Sequence, residues 1–326
     1  MKNIRYLLIL FYLFFSNIHS FEKVIIWGHK LHSHTHSYIH NAFYIAFEHL
    51  GYKTYWFDDN SDVRNFDFKN SLFLTEGQVD KNIPLRNDCL YILHNCGSKY
   101  KPLHEKNRCL TMQVYSDSCL KDNSCIQIAP CIYFTNLGKT LYMPWATDLL
   151  PHEVDQMKAK IRSINKNKIM YWIGTANDGT FGNIDVIKEF ENASKRFGIR
   201  FKFINPWSKP VSVEDNIILT QKSFLAPALQ GKWQVSAGYI PCRIFKSISY
   251  GQMGITNSYR VYELFDKKII YNPDPYQLFF DAKNYCEKMN PEDLENLMDF
   301  VRDNHTYINR IKVLFDALSI ISGEKL

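Results

Sequence analysis

One succession of segments occurs twice in this chain: an apolar strand, a polar loop, a helix, a glycine and a second strand. The first copy has its strand at residues 24–27, its helix at about 38–50 and its second strand at 54–57. The second copy has strands at 168–173 and 199–204 with a helix between them. Continuous apolar strands that alternate with helices are typical of parallel sheets covered on both faces. The chain is therefore predicted to hold two α/β units in tandem, each with parallel strands and right-handed crossovers.

The details of each copy match a Rossmann-like unit. In the first copy Gly51 follows the helix and Asp58 follows the second strand. In the second copy Gly174 and Thr175 open a loop of small residues, and Gly198 follows the helix. Glycine just past a helix end is a common C-cap, and the loop after the first strand is where such units build their sites.

Prolines divide the chain into segments. Residues 141–151 carry prolines that mark a connection rather than a helix or strand. We therefore expect an N-terminal Rossmann-like domain over residues 21–150 and a C-terminal one over residues 151–326. The C-terminal domain is predicted to end in a helical segment at 291–318. Further strands of the first domain are expected at 71–75, 89–94, 111–115 and 132–135.

Residues 1–20 have the layout of a secretory signal peptide or short anchor. Lys2 and Arg5 form a basic start, residues 7–15 are a continuous apolar run, and Ser20 is a small residue at a suitable cleavage position. The run is shorter than the roughly 20 apolar residues that a membrane span needs. We exclude this segment from the fold and expect the protein to be exported or membrane-associated.

The cysteines fit an exported chain, because export permits disulfides. Cys119 and Cys125 flank a polar loop and are the best candidates for a disulfide, whereas Cys89, Cys109 and Cys131 fit buried strand positions. No cysteines are spaced as a Cys-x-x-Cys pair, so a zinc ribbon is not expected.

The composition is globular, with 46% hydrophobic and 22% charged residues. The net charge of +6 suits a phosphate-bearing ligand or peripheral contact with an anionic membrane surface. Because the sequence contains no dense run of Lys and Arg, a nucleic acid is not expected as a partner.

The most informative segment is residues 239–273, which is predicted to form a helix, a tight turn, a strand, a second helix and a second strand. Arg243 and Lys246 lie near the start of the first helix, and Gly251 breaks it. Arginine grips phosphate with two parallel hydrogen bonds, while lysine acts as a point charge. The segment therefore predicts an anion-binding site.

This segment resembles the donor-binding half of GT-B glycosyltransferases. It is most similar to the CgeB-like group, also described as the spore maturation protein type and as glycosyl transferases group 1. In that group a pattern R-x-F-E-A-x-x-x-G precedes a strand ending in Thr and an E-L-F helix. The resemblance covers about the last third of the chain, where the matching residues are Arg243, Phe245, Gly251, Thr256, Asn257, Glu263, Leu264 and Phe265. Lys246 and Gly238 stand where the family has glutamates that help to hold the nucleotide sugar.

The resemblance implies a GT-B fold, in which two Rossmann-like domains with parallel sheets face each other across a cleft. It implies a glycosyltransferase that moves a sugar from a nucleotide-sugar donor to a hydroxyl of a glycan or lipid-linked saccharide. The nucleotide sugar is a co-substrate, and neither a cofactor nor a metal is expected, because helix ends and basic side chains neutralise the leaving diphosphate in this fold. The residues expected at the donor site are Gly174, Thr175, Arg243, Lys246, Gly251, Thr256, Asn257 and Glu263.

A histidine-rich loop follows the first strand. His34 and His36 lie closest to the start of the following helix. Imidazole can take a proton near neutral pH, so these two histidines are the candidate general bases for an acceptor hydroxyl. Two alternatives remain open: alternating histidines can bind zinc, and the loop can simply be polar surface.

Two other functions remain open for the whole chain. An exported carbohydrate-binding protein with a degenerate GT-B site would explain the missing glutamates. Another GT-B enzyme, such as a sugar-nucleotide epimerase, would use the same fold with different chemistry.

Overall fold

The computed structural model describes residues 21–30, 35–75, 80–94, 98–136, 138–323 and 326. The predicted leader, residues 1–20, lies outside them. Phe21 is buried, and its ring stacks on Tyr52 at 5.6 Å between centroids and packs against Phe315 at 5.7 Å. The chain therefore joins the packed core at the first described residue.

The first unit is built on an eight-stranded sheet of order β2-β1-β3-β4-β5-β8-β7-β6. Its first strands are apolar on both faces because helices cover one face and packed loops the other. The strands are β1 Lys23–Trp27, β2 Thr54–Phe57, β3 Ser71–Thr75, β4 Leu90–His94, β5 Cys109–Gln113, β6 Ile126–Ala129, β7 Ile132–Thr135 and β8 Thr140–Tyr142. The helices of this part are α1 Thr35–His49 and α2 Lys101–Glu105.

The sheet is mixed, so the prediction of parallel strands throughout is wrong at one edge. Strands β1 to β5 and β8 pair in parallel, but β7 pairs antiparallel with both β6 and β8. A two-residue turn at Pro130 and Cys131 joins β6 to β7, and Cys131 adopts a φ of 57°. Antiparallel neighbours can be joined by such a short hairpin, whereas parallel neighbours need a long crossover.

The second unit is also α/β, with two pairs of parallel strands: β9 Ile169–Ile173 with β10 Arg200–Ile204, and β11 Ile255–Thr256 with β12 Ile270–Tyr271. The extended segment 224–228 lies between the pairs. The Phe224 amide donates to Ile169 and the Ala228 amide to Ile255, each at 2.8 Å. The remaining helices are α3 Pro151–Lys160, α4 Ile184–Lys195, α5 Val213–Lys222, α6 Lys232–Ser236, α7 Cys242–Ser249, α8 Tyr259–Leu264, α9 Pro275–Cys286, α10 Pro291–Asn304 and α11 Tyr307–Ser322.

Helix α11 returns to the first unit, although the sequence places it at the end of the second. Its buried residues Ile311 and Leu314 share one hydrophobic core with Phe43 and Phe47 of α1. Two α/β units joined in this way have the GT-B architecture that the resemblance predicts, so the expected fold class is confirmed.

The two crossings between the units lie side by side. Thr147, on the outward path, pairs in parallel with Thr306, on the return path. The buried Arg310 ties the paths together by donating to the carbonyls of Pro144 at 2.9 Å and Trp145 at 3.1 Å. Burial lowers the pKa of Arg310 to about 10, which leaves it charged at neutral pH. These hydrogen bonds satisfy a charge that would otherwise be costly to bury.

A disulfide joins Cys119 to Cys125, as predicted, with 5.8 Å between their Cα atoms. Cys89 and Cys109 are buried, which agrees with their expected packing role. Within the described residues, no helix combines the length and the apolar character required to cross a membrane.

Candidate functional site

A cavity of about 420 Å³ lies between the two units. It opens where strand β9 ends, at Gly174 and Thr175, and where the first unit contributes Tyr115 just after β5. The carboxyl ends of strands are where open α/β sheets build their sites. Its lining also includes Tyr38, Trp145, Asp148, Trp172, Asn183, Pro206, Asn216, Gln234, Tyr239, Pro241, Cys242, Arg243, Lys246, Ser247 and Tyr307.

Among the described residues, Arg243 has no anionic partner in this cavity. It lies in the first turn of α7, and its guanidinium carbon is 3.7 Å from the ring centroid of Trp172. It forms no hydrogen bond or ion pair with the residues that the structure describes. Burial lowers its pKa to about 10, against the opposing effects of Cys242 and Tyr239. The side chain is therefore charged at neutral pH and suited to hold an anion.

The glycine after β9 lets the backbone approach this cation. Gly174 has a φ of 139°, and a Cβ at this position would lie 2.6 Å from an Arg243 guanidinium nitrogen. The Trp172 indole donates to the Thr175 carbonyl at 3.3 Å and holds the following residue in place. The small-residue loop predicted after this strand thus forms one wall of the cation site.

Lys246, one turn further along α7, is paired. Its ammonium lies 2.7 Å from a carboxylate oxygen of Asp148, and the Tyr250 hydroxyl donates to the other oxygen at 2.5 Å. Burial acts to lower the pKa of Lys246, but Asp148 outweighs it, so the pKa is raised. Asp148 was not predicted as a site residue. The sequence signal that could have identified it is that Asp148 is the sole charged residue of the connection at 141–151.

The other four expected donor residues lie outside the cavity lining. Gly251 turns the chain with a φ of 92°, and the buried Thr256 accepts a hydrogen bond from the Ser258 amide at 3.1 Å. The Asn257 side chain accepts from the Gln230 amide and donates to its carbonyl, both at 2.9 Å. The fourth, Glu263, is exposed on α8. The structure gives these residues turn, sheet and surface positions, and their contact with a donor stays a prediction.

The structure describes only one of the two candidate histidines. His34 lies outside the described residues. His36 lies in the first turn of α1, with its ring 5.1 Å from that of His94, which packs edge-on against Trp145 at 5.2 Å. Because Trp145 lines the cavity, His36 lies behind the wall rather than on it. The described residues include no group of three or more His, Cys, Asp or Glu side chains that could hold a metal ion.

Gly238, where the resembling family has glutamate, forms a contact between the units. Its carbonyl accepts from the Ser116 hydroxyl at 3.3 Å, and the Ser116 amide donates to Ala237 at 3.1 Å. Gly238 has a φ of 71°, and a Cβ would lie 2.5 Å from the Ser116 oxygen and 2.6 Å from an Arg260 nitrogen. Only glycine fits here without displacing these neighbours.

We expect Gly238→Ala to lower the free energy of unfolding by about 1–3 kcal/mol more than a matched control, because it overpacks the contact between the units. The control is Gly198→Ala, since Gly198 has a φ of 66° but no described atom within 4 Å of an added Cβ. Both variants carry the same backbone strain, so urea unfolding isolates the clash. Equal losses in the two variants would show that Gly238 tolerates a side chain.

Comparisons with known proteins found similarity only to solved structures, at low sequence identity. No protein-family model matches the chain, and no curated protein matches it. Among solved structures, the chain is similar to a UDP-forming α,α-trehalose-phosphate synthase from Burkholderia xenovorans, with 8% identity over 78% of this chain and 74% of that one, at a TM-score of 0.42. It is also similar to an α,α-trehalose 6-phosphate synthase from Burkholderia multivorans, with 9% identity over 93% of this chain and 73% of that one, at a TM-score of 0.42.

Proposed function

We propose that this protein is a glycosyltransferase that moves a sugar from a nucleotide-sugar donor to a hydroxyl acceptor. The observation that carries the proposal is Arg243: a charged guanidinium, stacked on Trp172, that faces a cavity between two α/β units and has no acidic partner among the described residues. A guanidinium that lines a cavity and is not bound by a carboxylate of the described residues is available to an anionic ligand. A diphosphate is the ligand chemistry that a planar, forked cation binds best.

The surroundings of Arg243 suit a donor diphosphate. Pro241 and Cys242 place the start of α7 on the cavity, and no side chain in the described part of the chain caps this helix end. Free amides at a helix N-terminus attract anions. Lys246 adds a second cation, partly neutralised by Asp148. The cavity volume falls within the range of about 300–1,000 Å³ that is usual for small-molecule sites.

In this proposal the developing negative charge on the leaving diphosphate is stabilised by Arg243 and the start of α7, without a metal. The acceptor enters from the side of the first unit, and His34, in the loop after β1, supplies the base for its hydroxyl. The acceptor is a glycan or lipid-linked saccharide, and the sequence pattern around Arg243 resembles that of the CgeB-like transferases. Export or membrane association belongs to the same proposal and rests on the apolar residues 7–15.

A carbohydrate-binding protein without transfer activity is the second candidate. The observation that favours it is the absence of both family glutamates, with Lys246 bound to Asp148 and Gly238 buried in the contact between the units. Such a protein would bind a saccharide but would not cleave a nucleotide sugar.

Calorimetric titration of the wild-type protein with UDP, GDP and UMP tests the proposal. We expect UDP or GDP to bind about tenfold or more tightly than UMP, because one hydrogen bond to a charged group contributes about 1.5–3 kcal/mol. Slow hydrolysis of the matching nucleotide sugar without acceptor would then distinguish a transferase from a binding protein. Equal affinity for UDP, GDP and UMP would contradict a diphosphate site.

A further inference from the structure

A row of four aromatic rings leads from the protein surface into the cavity. Phe181 packs edge-on against Trp233 at 4.8 Å between centroids, Trp233 lies 4.9 Å from Tyr115, and Tyr115 lies 5.5 Å from Tyr239. The last two line the cavity. The row crosses from one unit to the other, because Tyr115 follows β5 and the remaining three rings belong to the second unit.

The outer end of this aromatic row is an exposed ring on a loop closed by backbone hydrogen bonds. Phe181 leaves 66% of its surface open to solvent. Its loop is closed by the Gly182 amide, which donates to Gly179 at 2.9 Å, and by the Asn183 amide, which donates to Asn177 at 2.9 Å. A Cβ on Gly231 would overlap the Gly182 carbonyl, so the loop packs directly on the start of the helix that carries Trp233. The backbone of the loop that carries the exposed ring is thus held by hydrogen bonds and packing, which reduces the cost of ordering it on binding.

The inner end of the aromatic row carries polar groups. The hydroxyls of Tyr115 and Tyr239 form no hydrogen bond with the residues that the structure describes. Burial raises the pKa of both phenols, so both remain protonated donors at neutral pH. Flat aromatic faces next to neutral hydroxyls match a sugar chain, whose rings present C–H groups on their faces and hydroxyls at their edges.

We infer that this aromatic row binds the acceptor, and that the acceptor is an oligosaccharide rather than a single sugar. Each step between neighbouring rings is about as long as one sugar residue, and the row continues from the cavity to the open surface. A monosaccharide acceptor would occupy only the inner end, leaving Phe181 without a role. That the bound oligosaccharide is the acceptor rests on the proposed function, whereas the binding of an oligosaccharide to the aromatic row does not.

The test uses the full chain on an array of immobilised monosaccharides and oligosaccharides of increasing length, followed by calorimetry with the oligosaccharide that binds best. We expect binding to strengthen with chain length. Phe181→Ala should weaken it about three- to tenfold, the loss equivalent to one aromatic contact. UDP or GDP affinity should not change. Phe203→Ala is the matched control, because Phe203 is 43% exposed on β10 and lies outside both the row and the cavity lining.

Three results would overturn the inference: no oligosaccharide binds, Phe181→Ala and Phe203→Ala bind alike, or Phe181→Ala weakens nucleotide instead of saccharide. In the last case the aromatic row stacks on the nucleobase. A different result would contradict the proposed function while leaving this inference intact. If oligosaccharide binding depends on Phe181 but no nucleotide binds, the aromatic row binds saccharide and the protein is a carbohydrate-binding protein rather than a transferase.

Discussion

Replacing Arg243 by alanine is expected to weaken the binding of UDP or GDP by about 1.5–3 kcal/mol, roughly 10- to 150-fold in Kd, because the bond to a charged group is lost. The melting temperature of the free protein should change little. Arg243 has no acidic partner among the described residues, so the substitution breaks no ion pair and loses only the stacking on Trp172. Calorimetry measures the first effect, and thermal unfolding with and without nucleotide measures the second.

Two further variants make this test specific. Arg243→Lys keeps a positive charge but loses the planar fork, so it should recover only part of the affinity. Arg196→Ala removes an exposed guanidinium that stacks on Tyr276 at 5.4 Å, outside the cavity lining, and should bind nucleotide normally. If Arg243→Ala unfolds more easily and still binds nucleotide, Arg243 supports the fold and not the ligand.

Replacing Asp148 by alanine is expected to lower the free energy of unfolding by about 3–5 kcal/mol, the usual cost of removing one partner of a buried ion pair. The side chain of Asp148 is only 4% exposed and that of Lys246 only 15%. The variant leaves the Lys246 ammonium and the Tyr250 hydroxyl without their acceptor. Denaturant unfolding measures the loss.

A double variant separates the unpaired charge from the loss of packing. Asp148→Leu combined with Lys246→Met should recover most of the stability, because the cost comes from the charge left behind. The control is Glu295→Ala, which breaks the exposed pair with Arg162 and should cost about 0–1 kcal/mol. An Asp148→Ala loss no larger than this control would mean that solvent reaches Lys246 freely.

Local patterns predicted the elements that position Arg243. The run of residues from β9 through α4 to β10 follows from strand and helix periodicity with glycine at the helix end. The short strand β11 and the helix before it were predicted because glycine and the apolar stripe fix their limits. An anion site at the start of α7 needs only local chemistry, since the helix end and its arginine are neighbours in sequence.

Residues that depend on distant contacts were not predicted. Asp148 matters only because folding brings it to Lys246 and Tyr250, about a hundred positions along the chain. The aromatic row likewise joins three separate segments. Strand β6 was missed because it lies at the edge of the sheet and its first two residues are exposed. Strand β8 was missed because it overlaps the segment 141–151 that was interpreted as a connection. Glu263 matched a family motif, but the motif does not specify which side of α8 faces the cavity.

The return of α11 has a consequence for the order in which the protein forms during synthesis. The first unit is discontinuous in sequence: its sheet is complete by Tyr142, but Leu314 and Leu318 of its core emerge from the ribosome only after the whole second unit. Domains generally fold as they are synthesised, starting from the N-terminus. Here the unit that is translated first must wait, with the apolar face beneath α11 uncovered, until α11 has been synthesised and covers it.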